Sequence, residues 1–420
     1  MLLRLARKGL LDLISANFMM QFVGFGLLIL LPRFVSEAEI GQIKVLQTYT
    51  DLFVIIAGMG MNTAILKLCS EKRPDTERLA FLKKALTRTF AFSVGTVLLV
   101  AAAVRLWEIP ADPVVQRWLP IYAIIVPFSA LALVAAAYLQ ARKRIREMAR
   151  AQIVVRLQSV VVILLATWQF GLPGFIWASL GAFALALWPY ARLIGLDFRH
   201  EKSVRLPSRF KEIAGYSVLG NALNTVGKYA DIYILGLFAL DPSQLGYYSL
   251  ATIFVLPASV VTSSIQTIVT PYLSEGSENR VWFWNTMLRT QGQTILVAIG
   301  AALGARVLAT LTVHFLYDPG YLATLGYLDI LLVYFVLRSA YSVAGASHIA
   351  LGLTKYNFLA SAIMAALALT LTYSALPIAG FEGVAWAKVL TAGLMIPIYF
   401  ALVRRAVRVA PFLDRSGETG

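Results

Sequence analysis

The chain has one cysteine, Cys69, so an intramolecular disulfide is excluded. It has no metal-binding cluster, no glycine-rich phosphate loop with a lysine, and no nucleophile beside a base at a recognisable spacing. The familiar signatures of an enzyme or a bound cofactor are therefore missing. No low-complexity run or soluble domain interrupts the sequence. The connections on one side are too short to build a catalytic domain with acid, base and acceptor sites.

What fills the chain is apolar. Its hydrophobic fraction is 59% and its mean hydropathy +0.73, whereas a soluble domain is roughly 45–50% apolar. Twelve long segments carry this excess, at about 10–31, 42–68, 84–106, 114–140, 149–170, 174–196, 213–239, 246–271, 287–313, 322–351, 356–377 and 381–403. A helix needs about 20 apolar residues to cross a hydrocarbon layer of roughly 30 Å. Transmembrane β-strands are ruled out, being alternating segments of about 10 residues. The sequence therefore predicts an all-α integral membrane protein with about twelve transmembrane helices.

The net charge of +15 is unevenly spread. Of 37 Lys and Arg residues, 29 fall at one set of segment ends, including Arg4, Arg7 and Lys8, whereas the connections at 171–174, 240–246, 316–321 and 378–380 contain none. That is the positive-inside pattern, which places both termini in the cytoplasm. The basic excess is thus a topological signal with contacts to anionic lipid, not a nucleic-acid footprint. The start, MLLRLARKGLL, reads as a retained signal anchor, and the tail after Arg408 as polar and disordered.

Two short similarities divide the chain. FVSEAEIGQIKVLQ at 34–47 resembles ALDPSQLGYYSLAT at 239–252, and GLPGFIWA at 171–178 parallels GFEGVAWA at 380–387. The offsets are 205 and 209. An even number of spans between equivalent points gives two six-helix lobes related by a pseudo-two-fold along the membrane normal, a design that encloses a central cavity. The expected boundaries are 1–200, 201–412 and a tail at 413–420. Pro127, Pro189, Pro257 and Pro397 are candidate kinks.

Ionisable residues inside spans are costly and mark function. On the seventh segment Ser217, Asn221, Asn224, Lys228 and Asp231 are spaced 4, 3, 4 and 3. On a helix they form one stripe, about 21 Å long. Lys228 and Asp231 read either as a self-neutralising pair or as groups that couple ions to substrate. The second segment carries Lys44, Gln47, Thr48 and Asp51, facing the same cavity unless Lys44 snorkels outward. Arg338 lies 17 residues from both Tyr321 and Lys355, near the bilayer midplane, with Tyr334, Ser342 and Gly345 on its face. It needs an anion there, either a carboxylate such as Asp231 or a phosphate, which guanidinium grips bidentately. Arg156, Lys388 and Arg306 read as snorkelling cations, Asn17 and Gln21 as cavity-lining or interhelical groups, and His348 as packing or proton-carrying.

Three stretches resemble the polysaccharide and O-antigen flippases, within the superfamily that includes multidrug extruders and the lipid II flippase. They are LPRFVSEAEIGQIKVLQTYTDLF at 31–53, ADIYILGLFALDPSQLGYYSLATIFVLPASVVTSSIQTIVTPYLSE at 230–275 with Asp231, Leu235 and Gly236, and FEGVAWAK at 381–388. The resemblance implies a twelve-helix transporter of two lobes that turns an undecaprenyl-pyrophosphate-linked oligosaccharide across the cytoplasmic membrane. Members often carry a basic residue directly after the aspartate, where this chain has Ile232. The lipid II branch has two further helices with no counterpart here.

The resulting expectation is a flippase working by alternating access through a basic central cavity. Lys228, Arg338, Asn221, Asn224, Lys44 and Gln47 bind substrate, and Asp231 and Asp51 couple to protons or sodium. No cofactor, metal or nucleic acid is expected. The partners are the lipid-linked oligosaccharide, membrane lipids and the glycan polymerisation machinery. The rivals are a cation-coupled multidrug exporter of the same fold, which calls for an acidic or aromatic cavity, and a membrane-embedded glycan-assembly enzyme.

Overall fold

A computed structural model describes residues 24–26, 28–71, 74–195, 208–238, 241–275, 279–351 and 353–409. Most of the first expected span, with Asn17, Gln21 and the basic residues before it, lies outside them, as does the tail at 413–420. Among the described residues there is no strand. The helices are α1 (Glu37–Gly58), α2 (Met61–Ser70), α3 (Asp75–Trp107), α4 (Pro113–Tyr122), α5 (Ile125–Ala141), α6 (Ile145–Leu185), α7 (Leu187–Ile194), α8 (Ser208–Leu237), α9 (Pro242–Glu275), α10 (Arg280–Leu316), α11 (Ala323–Ser339), α12 (Ser342–Ala350) and α13 (Thr354–Val409).

Among the described residues, six helical stretches are long and apolar enough to cross a membrane, or up to eight if each bent pair is one span. The bent pairs are α1 with α2, at 47°, and α4 with α5, at 45°. Two of the long stretches contain a break: α6 turns at Gly171, and α13 at Ala379 and Gly380. Each break divides its stretch where the sequence places a connection between two spans. Pro127 and Pro189 sit in the first turn after the breaks that precede α5 and α7, where a missing N–H leaves no helical bond unmade.

The two breaks in α6 and α13 repeat one backbone solution. Gly171 has φ 59° and ψ −141°, and Gly380 has φ 55° and ψ −136°, a region that side-chain-bearing residues reach only under strain. Three residues on, a methyl group at Gly174 would lie 2.0 Å from the Ala166 carbonyl oxygen, and one at Gly383 would lie 2.6 Å from that of Ala375. The sequence similarity between GLPG and GFEG is thus a similarity of chain path: a glycine reverses the backbone and a second lets the new helix pass close to the old.

The chain forms two compact units, Met1–Thr225 with Leu235–Ser243, and Val226–Ile234 with Gln244–Gly420. In the first, Met61, Leu68, Phe81, Leu82, Val134 and Phe210 form a buried cluster. Ser36 and Glu39 cap α1 reciprocally, and the Asp112 carboxylate caps α4 while accepting from Gln42 Nε2 at 3.0 Å. At the basic ends Asp75 takes Arg142 through both oxygens, and Glu147 takes Arg144 likewise. In the second unit the core is Leu273, Phe283, Met287, Tyr341, Val343, Met364, Met395 and Tyr399.

Lipid is as apolar as leucine, so close packing and hydrogen bonds hold such helices together more than expulsion of apolar surface. Outward residues accordingly stay large and apolar: Leu99 is 72% exposed and Phe315 81%. Some buried hydroxyls bond within their own helix, as Ser93 does to the Thr89 carbonyl at 2.6 Å and Thr167 to that of Ile163 at 2.6 Å, which keeps these two satisfied in the apolar layer.

Replacing Gly171 or Gly380 by alanine is expected to cost about 1–3 kcal/mol each. Gly181→Ala, in the helical part of α6 with open space around it, should be neutral or stabilising by about 0.4–1 kcal/mol. Thermal unfolding of the purified protein in detergent measures both, and equal effects at 181 and 380 would discredit the role of the turn.

Candidate functional site

The polar stripe of the seventh segment is not continuous. α8 leaves helical geometry at Tyr229, with φ −118° and ψ 19°, between Lys228 and Asp231. That shift turns the two ends differently: Asn221, Asn224 and Lys228 are exposed, and the run from Ala230 to Gly236 is buried. Lys228 lies with its ammonium 4.7 Å from the ring centroid of Tyr229. Gly236 ends the run against Val45, whose methyl carbon would lie 3.0 Å from a side chain added there.

Asp231 is 1% exposed and pairs not with Lys228 but with Lys388, whose Nζ is 2.5 Å from Oδ2. The Tyr248 hydroxyl donates to the same oxygen at 2.7 Å. A carboxylate this deep is tolerated only when paired and hydrogen-bonded. Lys388 therefore does not snorkel outward; the acid draws it inward. Sequence spacing gives no sign of this partnership, because 157 residues separate the two, although Lys388 ends the FEGVAWAK motif.

From Lys388 a chain of contacts runs to Arg338. The Lys388 ammonium stands 5.0 Å from the centroid of the Tyr334 ring, a favourable cation–π distance. The Tyr334 hydroxyl accepts from Arg338 Nη1 at 2.9 Å. Arg338 makes no ion pair with a described carboxylate, and Asp231 reaches it only through Lys388 and Tyr334. Tyr341 and Tyr399 stack at 4.6 Å, and His348 lies 6.0 Å from Tyr399 and 6.1 Å from Tyr356 with neither ring nitrogen bonded. One carboxylate, paired with Lys388, thus stands near two cations among tyrosines, and Arg338 is left with a phenol for a partner, a positive charge whose field low polarity strengthens.

A pocket lies beside the pair, lined by Asp231, Tyr334, Tyr341, Thr372, Lys388 and Thr391. It offers about 10 Å³ to the centre of a water molecule, room for roughly one water. Asp231 Oδ1 is buried with no protein partner. In this conformation the pocket holds no larger group.

Most of the other expected residues belong to the first unit. On α1, Lys44 and Gln47 are half-buried, Thr48 is buried and Asp51 exposed. Asn221 donates to Ser217 Oγ at 3.4 Å, and Ser217 shares a hydrogen bond of 2.7 Å with Thr63. Arg156 packs its guanidinium against Gly24. Arg306 is not a lone snorkelling cation, because its Nε bonds Asp329 Oδ1 at 2.5 Å.

A family model described as "Polysaccharide biosynthesis protein" matches residues 6–277. Comparison with curated protein sequences gives no match. Among solved structures, the lipid II flippase MurJ in an inward closed conformation superposes with a TM-score of 0.78 at 17% identity, covering 95% of this chain and 89% of that one. A multidrug resistance MATE family transporter of the MOP superfamily, in its inward-facing conformation, gives 0.73 at 11%, covering 94% and 96%. The MATE multidrug transporter DinF-BH gives 0.69 at 18%, covering 96% and 95%. The fold is that of these transporters: an all-α membrane protein of about twelve helices in two lobes.

Lys388→Met should destabilise the protein by about 3–5 kcal/mol, because it strands the Asp231 charge. Adding Asp231→Asn should recover most of that loss. Thermal unfolding of the two variants decides the matter: a double variant less stable than the single one would refute the pairing as the site's constraint.

Proposed function

Since the chain belongs to the polysaccharide biosynthesis protein family, we propose that it is a flippase. It carries an undecaprenyl-pyrophosphate-linked oligosaccharide repeat unit across a bacterial cytoplasmic membrane, with both termini on the cytoplasmic side, by alternating access through a basic cavity. A diphosphate and a string of hydroxyls cannot cross hydrocarbon unaided. The protein supplies charge and water for the head while the lipid tail stays in the bilayer. This is transport, with no bond made or broken in the substrate.

Arg338 is the observation that carries the reading. It is a permanent cation near the middle of a span, held by a phenol and matched by no described carboxylate, and its planar fork suits phosphate oxygens. Lys228 adds an exposed ammonium, and Asn221, Asn224, Lys44 and Gln47 contribute hydrogen bonds to phosphate or sugar. Asp231 and Asp51 are the coupling acids. At Asp231 an ammonium already sits on the carboxylate, so a proton or a sodium ion that binds there must displace it. The glycan polymerisation machinery is the natural recipient of the product.

The second reading is a cation-coupled multidrug exporter. The tyrosines around Asp231, and the similarity to the two MATE transporters, favour it; the two cations beside that carboxylate weigh against it, since a cationic drug is repelled there.

In cells whose surface glycan depends on this chain, Arg338→Ala should abolish that glycan while the protein persists in the membrane. Normal glycan from that variant would remove Arg338 from the mechanism, and drug resistance on overexpression of the unaltered chain would transfer the assignment to the exporter.

A further inference from the structure

Beside the cations of the second unit a helix is broken, and one side chain from a neighbouring helix spans the break. α11 ends at Ser339 and α12 begins at Ser342, so the turn between them leaves backbone groups without helical partners. Within a membrane span such groups must be met by protein. Gln291, on α10 and 3% exposed, meets them. Its Nε2 donates to the Ser339 carbonyl at 2.7 Å, and its Oε1 accepts from the amide of Val343 at 2.9 Å and that of Ala344 at 3.4 Å. The Ser342 hydroxyl donates to the same Ser339 carbonyl at 2.9 Å.

The clamp has a place in the site. Arg338 immediately precedes the clamped carbonyl, and Tyr341, which lines the pocket of Asp231 and Lys388, lies inside the clamped turn. A primary amide is a neutral group that both donates and accepts from a single plane, so it can hold the end of one helix and the start of the next together. An apolar residue of the same length would fill the space and leave the turn free to shift.

We infer that Gln291 is the positioning residue of the phosphate site: by fixing the turn from Ser339 to Ala344 it sets where the Arg338 guanidinium and the Tyr341 ring point. This rests on the reading of Arg338 as the phosphate-holding group, and adds the residue that holds it in place.

The test is binding of farnesyl pyrophosphate, a short polyprenyl pyrophosphate, to the purified full chain in detergent, below the unfolding temperature of every variant. Arg338→Ala should weaken binding about tenfold or more, the loss of one charge-assisted contact. Gln291→Met, which keeps length and removes all three hydrogen bonds, should weaken it by about fivefold. In the Arg338→Ala background the same change should cost less than about twofold, since residues acting through one another are not additive. If Gln291→Met does not fold, Gln291→Asn, which withdraws the amide by one methylene, carries the same comparison. Unchanged affinity on altering Gln291, or an equal loss in both backgrounds, overturns the positioning role and leaves the flippase reading standing. Unchanged affinity in Arg338→Ala overturns both.

Discussion

An ionised carboxylate inside a membrane-spanning helix is tolerated only if protein does what water otherwise does, and Asp231 sets that requirement here. Lys388 supplies the charge and Tyr248 a hydrogen bond. The ring of Tyr334 then backs the ammonium, and its hydroxyl takes up Arg338. Each group is placed by the demand of the one before it. Because the acid is taken up by Lys388 and Arg338 meets only a phenol, the sequence of demands ends in a positive charge with no described carboxylate against it. In a medium that screens poorly, such a surplus is felt strongly, and its natural complement is an anion that comes and goes. A sealed, balanced pair would only stabilise the fold; on the flippase reading the surplus cation is what meets phosphate.

The second constraint is geometric and occurs twice. At Gly171 and Gly380 the chain must reverse within a few residues, without exposing unpaired backbone to lipid for longer than the turn itself. Positive φ at the first glycine and close passage at the second achieve this in both halves. The second of these turns matters to the site, because the helix that begins there carries Lys388 toward Asp231 within eight residues of Gly380.

Much of this was legible in the sequence, for reasons that differ by feature. Long apolar runs are a direct requirement of bilayer thickness, so spans and their breaks followed from composition: the connections expected at 171–174 and 378–380 fall at the Gly171 and Gly380 turns. Arg338 and Asp231 stood out because charge inside a span is costly. What the sequence concealed were the partnerships. A 3.6-residue period assumes an unbroken helix, and Tyr229 breaks it, so Lys228 and Asp231 do not share a face. Counted from the nearer end of its span, Lys388 looks like a snorkelling cation; only the fold brings a carboxylate beside it. Gln291 gave no signal, since a lone glutamine in a span announces polarity but not the helix break it serves.

The closed pocket bears on how such a machine works. A space for roughly one water beside Asp231 and Lys388 does not admit a diphosphate, so a chain that carries phosphate past Arg338 must change shape in this region. Helices bend where their hydrogen-bond ladder is already interrupted. The interruptions nearest the charges are at Tyr229, two residues before Asp231, and between Ser339 and Ser342, directly after Arg338. The acid sits beside the break at Tyr229 in its own helix, whereas the break that follows Arg338 is bridged by Gln291. On the flippase reading, a change in charge at Asp231 acts on the backbone beside the Tyr229 break, where the helical ladder is already interrupted.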